Sequence, residues 1–438
     1  MVCDTLASRE SLGSRQTKRK TARATEQAPQ ILESRNQAMV SQCRTFALGG
    51  LMLSILSCAC QADEWDVVNF HARAAYYYDS NLFRERNDDA GSDQYTGLTG
   101  GLSIDKPYSM QRFRLNGDFT RYEYNEFKGL DHDTKNYLLA WDWSLTPRLT
   151  GTLLSDQKQE LADPAFDTSP DERQERNIRT SRRQRLDMNW WFHSNWHLLG
   201  EIGKEKRIYD KDIDDDESFQ ATRWGTGLLY ESGAGRRIGF NYVGRDGNLS
   251  QSQDDDQKID DEFDSQEYEV ALVYPFGDAS RIHAHIGYLR QDYPDISERD
   301  FSGMTSGLRL EWGLTAKLRI SAGYERTLLP WRRDPGSYAK VDAWALGATW
   351  SFSAKQRLEL ELEQRHREQH GAVMDTIPPP TSSTLRNDHS RTATLNWVWS
   401  PILTTELSLG WFYKERNSNV DDFDYDAHGF SVSLQHMF

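Results

Sequence analysis

Beyond residue 62 the chain has no cysteine. All four, Cys3, Cys43, Cys58 and Cys60, precede Asp63. A mature chain starting at Asp63 therefore has no disulfide, no thiolate nucleophile and no cysteine-based zinc site. No run of eighteen apolar residues occurs, which removes a membrane-spanning helix. Basic charge is in deficit, with 52 Lys and Arg against 67 Asp and Glu. Nucleic-acid binding needs clustered cations facing phosphates, so this balance argues against it. No glycine-rich phosphate loop stands out, and no Ser and His are marked as nucleophile and base. What the chain does have is glycine and aromatic residues, with 30 Gly, 14 Trp, 19 Tyr and 18 Phe.

The N-terminus reads as a targeting segment. Residues 46–57 are apolar but too short to span a bilayer as a helix, Arg44 precedes them, and Cys60-Gln61-Ala62 follows. This pattern predicts a secretory signal peptide over residues 39–62, cut after Ala62, with Met39 as its start. Residues 1–38 then read as an upstream extension or a mis-assigned start, and residues 63–438 as the mature domain. A lipoprotein reading through Cys58 or Cys60 fits less well, because the residues before either cysteine make a poor lipobox. Residues 1–62 carry 8 basic and 4 acidic side chains, which leaves 44 basic and 63 acidic from Asp63 onward, a net charge of −19.

From Asp63 one unit repeats: a strand of 9 to 14 residues, a tight turn, a second strand, a longer polar loop. The tight turns are Lys106–Ser109, Thr146–Arg148, Ser194–Trp196, Gly233–Arg236, Gly277–Ser280, Thr315–Lys317, Ser353–Gln356 and Ser400–Ile402. Gly, Pro, Asn and Ser sit there for their turn geometry. The long loops fall near 79–94, 125–132, 163–178, 211–218, 250–263, 294–301, 331–338, 370–386 and 417–424. Nine long loops alternating with eight short turns predict eighteen strands, with both termini on the short-turn side. Sixteen is the alternative count, since the first loop region is hard to read.

Within the strands apolar and polar residues alternate at period two, the signature of a sheet with one apolar face. Tyr137, Leu139, Trp141, Trp143 and Leu145 alternate with Asn136, Leu138, Ala140 and Asp142; Leu308, Leu310, Trp312 and Leu314 with Arg309, Glu311 and Gly313. The last stretch, Asp426–Phe438, sets Phe430, Val432, Leu434 and Phe438 against Gly429, Ser431, Ser433 and Gln435. A soluble sandwich and a membrane barrel both give such alternation, so composition alone does not choose between them. Three features favour an all-β transmembrane antiparallel barrel. The strands exceed the five or six residues typical of sandwiches, aromatics crowd strand ends as in membrane interfaces, and the signal peptide directs export. The predicted compartment is the bacterial outer membrane, where barrels carry short periplasmic turns and long outer loops. Phe438 then reads as an assembly signal for the barrel assembly machinery.

If the apolar face meets lipid, the opposite face lines a lumen. That places Arg112, Arg114, Tyr122, Tyr124, Arg179, Arg183, Arg185, Glu201, Glu205, Glu359, Glu361 and Glu363 inside. Both charge signs together with aromatic faces suit a polar polymer, and any water-filled barrel also has a charged wall. Arg182 points outward by the same count. His283 and His285 share a strand face without a matching carboxylate cluster. His366 and His370 bracket a misplaced Glu368 and lie in a strand, where i and i+4 residues are too far apart to share zinc. The acid runs Asp212, Asp214–Glu217 and Asp254–Asp261 are candidate calcium ligands, but the first lacks the glycine and terminal glutamate spacing of a calcium loop. They read as solvated outer loops that divalent cations bridge to lipopolysaccharide. No catalytic residue, metal or cofactor is assigned, and the chain reads as a non-enzyme whose surroundings are outer-membrane lipid.

One short segment carries a family resemblance. Asp79-Ser80-Asn81-Leu82-Phe83-Arg84 follows the first strand, and such a segment in that place resembles the EpsL-like, exosortase-associated exopolysaccharide outer-membrane β-barrel proteins. That family often has a second acid where this chain has Ser80. The resemblance covers Asp63 to Phe438, mainly as architecture. It implies a barrel exporting an extracellular polysaccharide in concert with inner-membrane synthesis and export components, and it assigns no catalytic residue. By their chemistry Asn81 suits a turn, and Leu82 and Phe83 suit anchoring that turn inside the barrel mouth. An uptake porin for small polar nutrients is the alternative function, and a structural or adhesive barrel is a third.

Overall fold

The computed structural model describes residues 67–163, 174–211, 218–249, 262–277, 279–294, 297–330, 336–371 and 385–438. The targeting segment and the acid runs at 212–217 and 254–261 lie outside the described residues.

Eighteen strands follow one another: β1 Val68–Asp79, β2 Asp93–Tyr108, β3 Gln111–Tyr124, β4 His132–Thr146, β5 Leu149–Leu161, β6 Ile178–His193, β7 Trp196–Tyr209, β8 Phe219–Glu231 and β9 Arg237–Leu249. The second half continues with β10 Glu262–Pro275, β11 Arg281–Asp292, β12 Phe301–Gly313, β13 Leu318–Pro330, β14 Tyr338–Ser353, β15 Gln356–His370, β16 Asn387–Ile402, β17 Thr405–Ser418 and β18 Tyr425–Met437. Each pairs antiparallel with its sequence neighbours, and β1 pairs with β18 as well as β2, so the sheet closes on itself. Eighteen is the observed count, which removes the sixteen-strand alternative. Closure leaves no unpaired edge, the condition for a sheet to sit in hydrocarbon.

Turn chemistry explains the short connections. Thr146 Oγ1 accepts hydrogen bonds from the backbone N–H groups of Arg148 (3.3 Å) and Leu149 (3.0 Å). Thr315 Oγ1 does the same for Lys317 (3.2 Å) and Leu318 (3.0 Å). Gly235 (φ 73°) and Gly277 (φ 74°) supply the left-handed conformation their turns require. At Ser400-Pro401-Ile402 the strand runs through Ile402, so the reversal falls one step later and carries Leu403, which is almost fully exposed.

The register fixes the two faces, because residues directly opposite in an antiparallel pair point the same way. Leu186 faces Ile202, Ile202 faces Trp224, Leu395 faces Trp411, and Leu434 faces both Ala74 and Leu407. These side chains belong to a band of exposed large apolar residues that continues through Phe240, Leu272, Ile286, Leu308 and Leu346. An apolar band around a closed barrel is unstable in water and stable in lipid. Toward the long loops the band ends in an aromatic row, with Trp224 and Tyr242 rings 5.2 Å apart, Tyr242 and Tyr268 4.9 Å, and Tyr324 and Trp344 4.6 Å. Toward the short turns Trp190, Trp196, Trp312, Trp350 and Trp399 mark the other interface. Strands of 12 to 16 residues exceed the ~9–11 that a crossing needs, so their loop-side ends project past the membrane.

Candidate functional site

The inner wall is built from the polar half of each strand. Arg112 and Arg114 on β3, Arg179, Arg183 and Arg185 on β6, Glu201 and Glu205 on β7, and Glu359, Glu361 and Glu363 on β15 all lie on the face opposite the apolar band. Most of the charge there is paired across or along strands. Arg179 donates to Glu160 (2.6 Å), Arg183 to Asp156 (2.9 Å) and Arg185 to Asp187 (2.9 Å). Arg112 meets Asp105 (2.7 Å), Arg114 meets Asp142 (2.9 Å), and Glu201 holds Arg223 in a short, buried contact. Arg357 joins Glu359 (2.7 Å) and Glu406 (3.5 Å), and Arg365 joins Glu363 (2.5 Å). The wall therefore presents interleaved pairs of both signs rather than a field of one sign. Eighteen strands enclose a lumen wide enough for water.

At the long-loop end the first loop turns into the mouth. Tyr77, Tyr95 and Tyr124, from three successive strands, stack with ring separations of 4.9 and 4.3 Å on the inner wall. Leu82 and Phe83 lie over this row in one buried cluster with Leu130, and Phe83 meets Phe127 edge-on at 4.6 Å. Tyr122 and Tyr124 thus point inward, but Tyr124 is only 2 % exposed and forms the floor under the loop rather than an open surface.

Asp79 and Arg84 hold that loop in shape. Arg84 Nη1 and Nη2 donate to Asp79 Oδ1 (2.7 Å) and Oδ2 (2.6 Å), and Asp79 Oδ1 also accepts from Asn81 N (3.0 Å). Asn81, fully buried, donates from Nδ2 to the carbonyls of Glu85 (2.7 Å) and Asp426 (3.1 Å) and accepts from Glu85 N (3.0 Å). Arg84 sits at φ 57°, a conformation that costs a residue with Cβ roughly 1–2 kcal/mol. Its guanidinium also lies 6.0 Å over Phe412 and 5.9 Å over Tyr425. Asp426 and Tyr425 belong to β18 and Phe412 to β17, so this loop ties the first strand to the last hairpin, across the line where the barrel closes.

Sequence reasoning missed a second cluster beside it. Arg386 stacks 4.1 Å over Phe423 and pairs with Asp388 (3.0 Å), while Arg416 lies 5.6 Å over Phe423 and 4.9 Å over Tyr425. Burial pushes the Arg386 guanidinium down to about 9; Asp388 opposes that fall and the nearby Arg367 and Arg416 charges deepen it. It remains a cation at neutral pH. The signals were the spacings Arg365/Arg367 and Lys414/Arg416, which put two cations on one face of each strand.

The inner-wall histidines stand apart from those on the outer face, where His366 stacks on His389 at 4.1 Å. His285 approaches Glu325 (3.4 Å) and His283 approaches Glu311 (4.0 Å) on the inner wall, whereas His366 and His370 point outward, each 3.4 Å from Glu368. Among the described residues no group of three or more His, Cys, Asp or Glu is arranged to hold a metal ion.

Fold and wall together define an outer-membrane β-barrel: a closed, even-stranded antiparallel cylinder, apolar outside and charged within. No protein-family model and no curated protein matches the chain. Among solved structures it is similar to Pseudomonas aeruginosa OpdK with vanillate, at 10% identity and a TM-score of 0.48, covering 85% of this chain and 99% of that one. It is also similar to Pseudomonas aeruginosa OccK2 (OpdF) in complex with glucuronate, at 10% identity and 0.49, over 85% and 98%. A third is the siderophore receptor PirA from Acinetobacter baumannii, at 8% identity and 0.44, over 85% and 81%. At such identities the likeness extends to the barrel and not to what passes through it.

Proposed function

We propose that this barrel is a channel for small hydrophilic solutes across the outer membrane. The carrying observation is the inner wall of interleaved ion pairs, such as Arg183 with Asp156 and Arg365 with Glu363. Paired charges hydrate the lumen and offer donors and acceptors to polar solutes of either sign, without the strong field that would trap one ion. Purified protein in liposomes should make them swell in small sugars and amino acids. Liposomes that stay tight with correctly folded protein would sink this reading.

A second reading has one specific observation behind it: the Asp79–Arg84 segment resembles that of EpsL-like exopolysaccharide barrels. In that reading the cargo is an extracellular polysaccharide moving outward, delivered by inner-membrane components. A clean deletion separates the two. Loss of surface polysaccharide with unchanged small-solute uptake favours export, and the converse favours the porin reading.

A further inference from the structure

The outer wall just beyond the lipid band has an anomaly on β6 and β7. The apolar band ends there at Leu186, Ile202 and Trp224, which lie side by side in register and are all exposed. One outward-facing step further, Gln184 stands opposite Lys204; one more, Arg182 stands opposite Lys206. Arg182, Lys204 and Lys206 are all exposed. Two cations directly opposite in an antiparallel pair have Cβ atoms about 4.5–5.5 Å apart and destabilise the sheet. Nothing beside them compensates among the described residues. Their outward neighbours are Gln157, Thr180, Gln220 and Thr222, and the polar contact made by Arg182 is to Gln157 Oε1 (2.8 Å). Of the acids nearby, Asp210 lies 3.9 Å from Arg176 and Glu175 lies 3.0 Å from Lys211, and Asp246 stands on the same face two strands from Lys204, beyond Thr222.

Elsewhere on the collar, five outward cations have acid partners. Arg121 meets Asp133 (3.2 Å), Arg290 meets Asp292 (2.8 Å), Arg326 meets Asp342 (2.7 Å), Lys340 meets Glu368 (2.5 Å) and Arg391 meets Glu415 (3.8 Å). The β6–β7 patch keeps three cations together instead. Successive outward residues on a strand are about 6.6 Å apart. In a strand tilted by about 40°, the patch therefore starts a few ångströms above the end of the apolar band, at the level of lipid headgroups.

We propose that Arg182, Lys204 and Lys206 form a binding site for a phosphate group on an outer-leaflet lipid. A phosphate seated among them accepts hydrogen bonds from all three side chains and removes the cross-strand repulsion. The acyl chains of the same lipid then pack on Leu186, Ile202 and Trp224. Charge complementarity and continuity with the apolar band select a membrane lipid over a soluble anion.

The test uses the full mature barrel in phosphatidylcholine vesicles with or without diphosphorylated lipid A, comparing wild type with the triple variant R182Q/K204Q/K206Q. Lipid A should raise the thermal midpoint of wild type and not that of the variant. The variant's lipid A affinity should fall on the order of 100-fold, from the attraction each surface cation contributes. Dephosphorylated lipid A should not distinguish the two proteins, and Lys340→Gln, on the paired part of the collar, should behave as wild type. In phosphate-free detergent the triple variant should be at least as stable as wild type, because repulsion is relieved. Three results would overturn the site. Lipid A retention could be unchanged in the variant. Free inorganic phosphate could compete lipid A away, which marks a simple ion site. Or the variant could lose stability without lipid, which means acids of the protein itself hold these cations.

Discussion

Asp79 and Arg84, five residues apart and both buried, are joined by two parallel hydrogen bonds of 2.7 and 2.6 Å at the point where β1 leaves the wall. The pair holds a left-handed Arg84 in a loop whose other bonds reach β18, through Asn81 to Asp426 and through Ser80 N to the carbonyl of His428 (2.9 Å). The first loop therefore closes the barrel as much as it shapes the mouth. Breaking a buried pair by removing one partner costs about 3–5 kcal/mol. Asp79→Asn should lower the unfolding midpoint in urea by a corresponding amount, and pairing it with Arg84→Leu should recover part of the loss. An unchanged midpoint for Asp79→Asn would show that the pair does not hold the seam.

Adjacent residues on one strand should respond in opposite ways to the same substitution. Leu395 pairs with Trp411 on the apolar face, while its neighbour Thr394 pairs with Glu361 on the inner wall. Leu395→Arg puts a charge into hydrocarbon, at a cost of about 2–4 kcal/mol. Thr394→Arg puts it in water beside Glu361 and should cost little. Folding yield into bilayers measures the difference, and equal losses would contradict the assignment of faces.

Strand positions and faces were legible because one rule, alternation at period two, runs through every strand. Leu308, Leu310 and Trp312 on one side and Arg309 and Glu311 on the other can be separated by counting. The partnerships were not legible, because they depend on register between strands. Nothing local says that Arg183 lies beside Asp156 or that Arg182 stands opposite Lys206. The first loop was legible as a turn anchored inside the mouth by Leu82 and Phe83, but what those two side chains pack against was not. Its Leu82 and Phe83 covering Tyr124 requires knowing that three tyrosines from separate strands meet at one height. The terminal residue is a smaller case: β18 ends at Met437, and Phe438 lies just past the strand.

Phe438 nevertheless reaches the first strand. Its N–H donates to the carbonyl of Phe70 (2.8 Å), and its ring packs edge-on against His436 at 4.7 Å, while His436 Nδ1 shares a hydrogen bond with Thr405 (2.8 Å). Deleting Phe438 removes one bond of the closing pair and the apolar end of the last strand. The fraction recovered as folded, heat-modifiable barrel from outer membranes should drop. Conductance per folded molecule should hold, because Phe438 is not on the inner wall. A lower conductance at normal yield would reverse that division of roles.

The arginines of β6 decide how the wall treats ions. Arg179, Arg183 and Arg185 each sit beside an acid, Glu160, Asp156 and Asp187, so the wall there is near neutral as built. Replacing all three by Gln keeps polarity and approximate length and removes three positive charges from beside these acids, while Lys158 still meets Glu160. Selectivity in planar bilayers should shift toward cations, read as a change in reversal potential under a salt gradient. The shift should shrink as salt rises, because the Debye length falls from ~10 Å at 0.1 M to ~3 Å at 1 M. Stability should change modestly, since no apolar contact is lost and the pairs, though partly buried, line a water-filled lumen. Arg182→Gln is the internal control: one residue away, its side chain leaves the barrel on the lipid side and donates to Gln157. It should leave selectivity at the wild-type value while weakening lipid A binding. If Arg182→Gln moves the reversal potential as far as Arg183→Gln does, the two side chains share a compartment and the register of β6 against β5 and β7 is wrong.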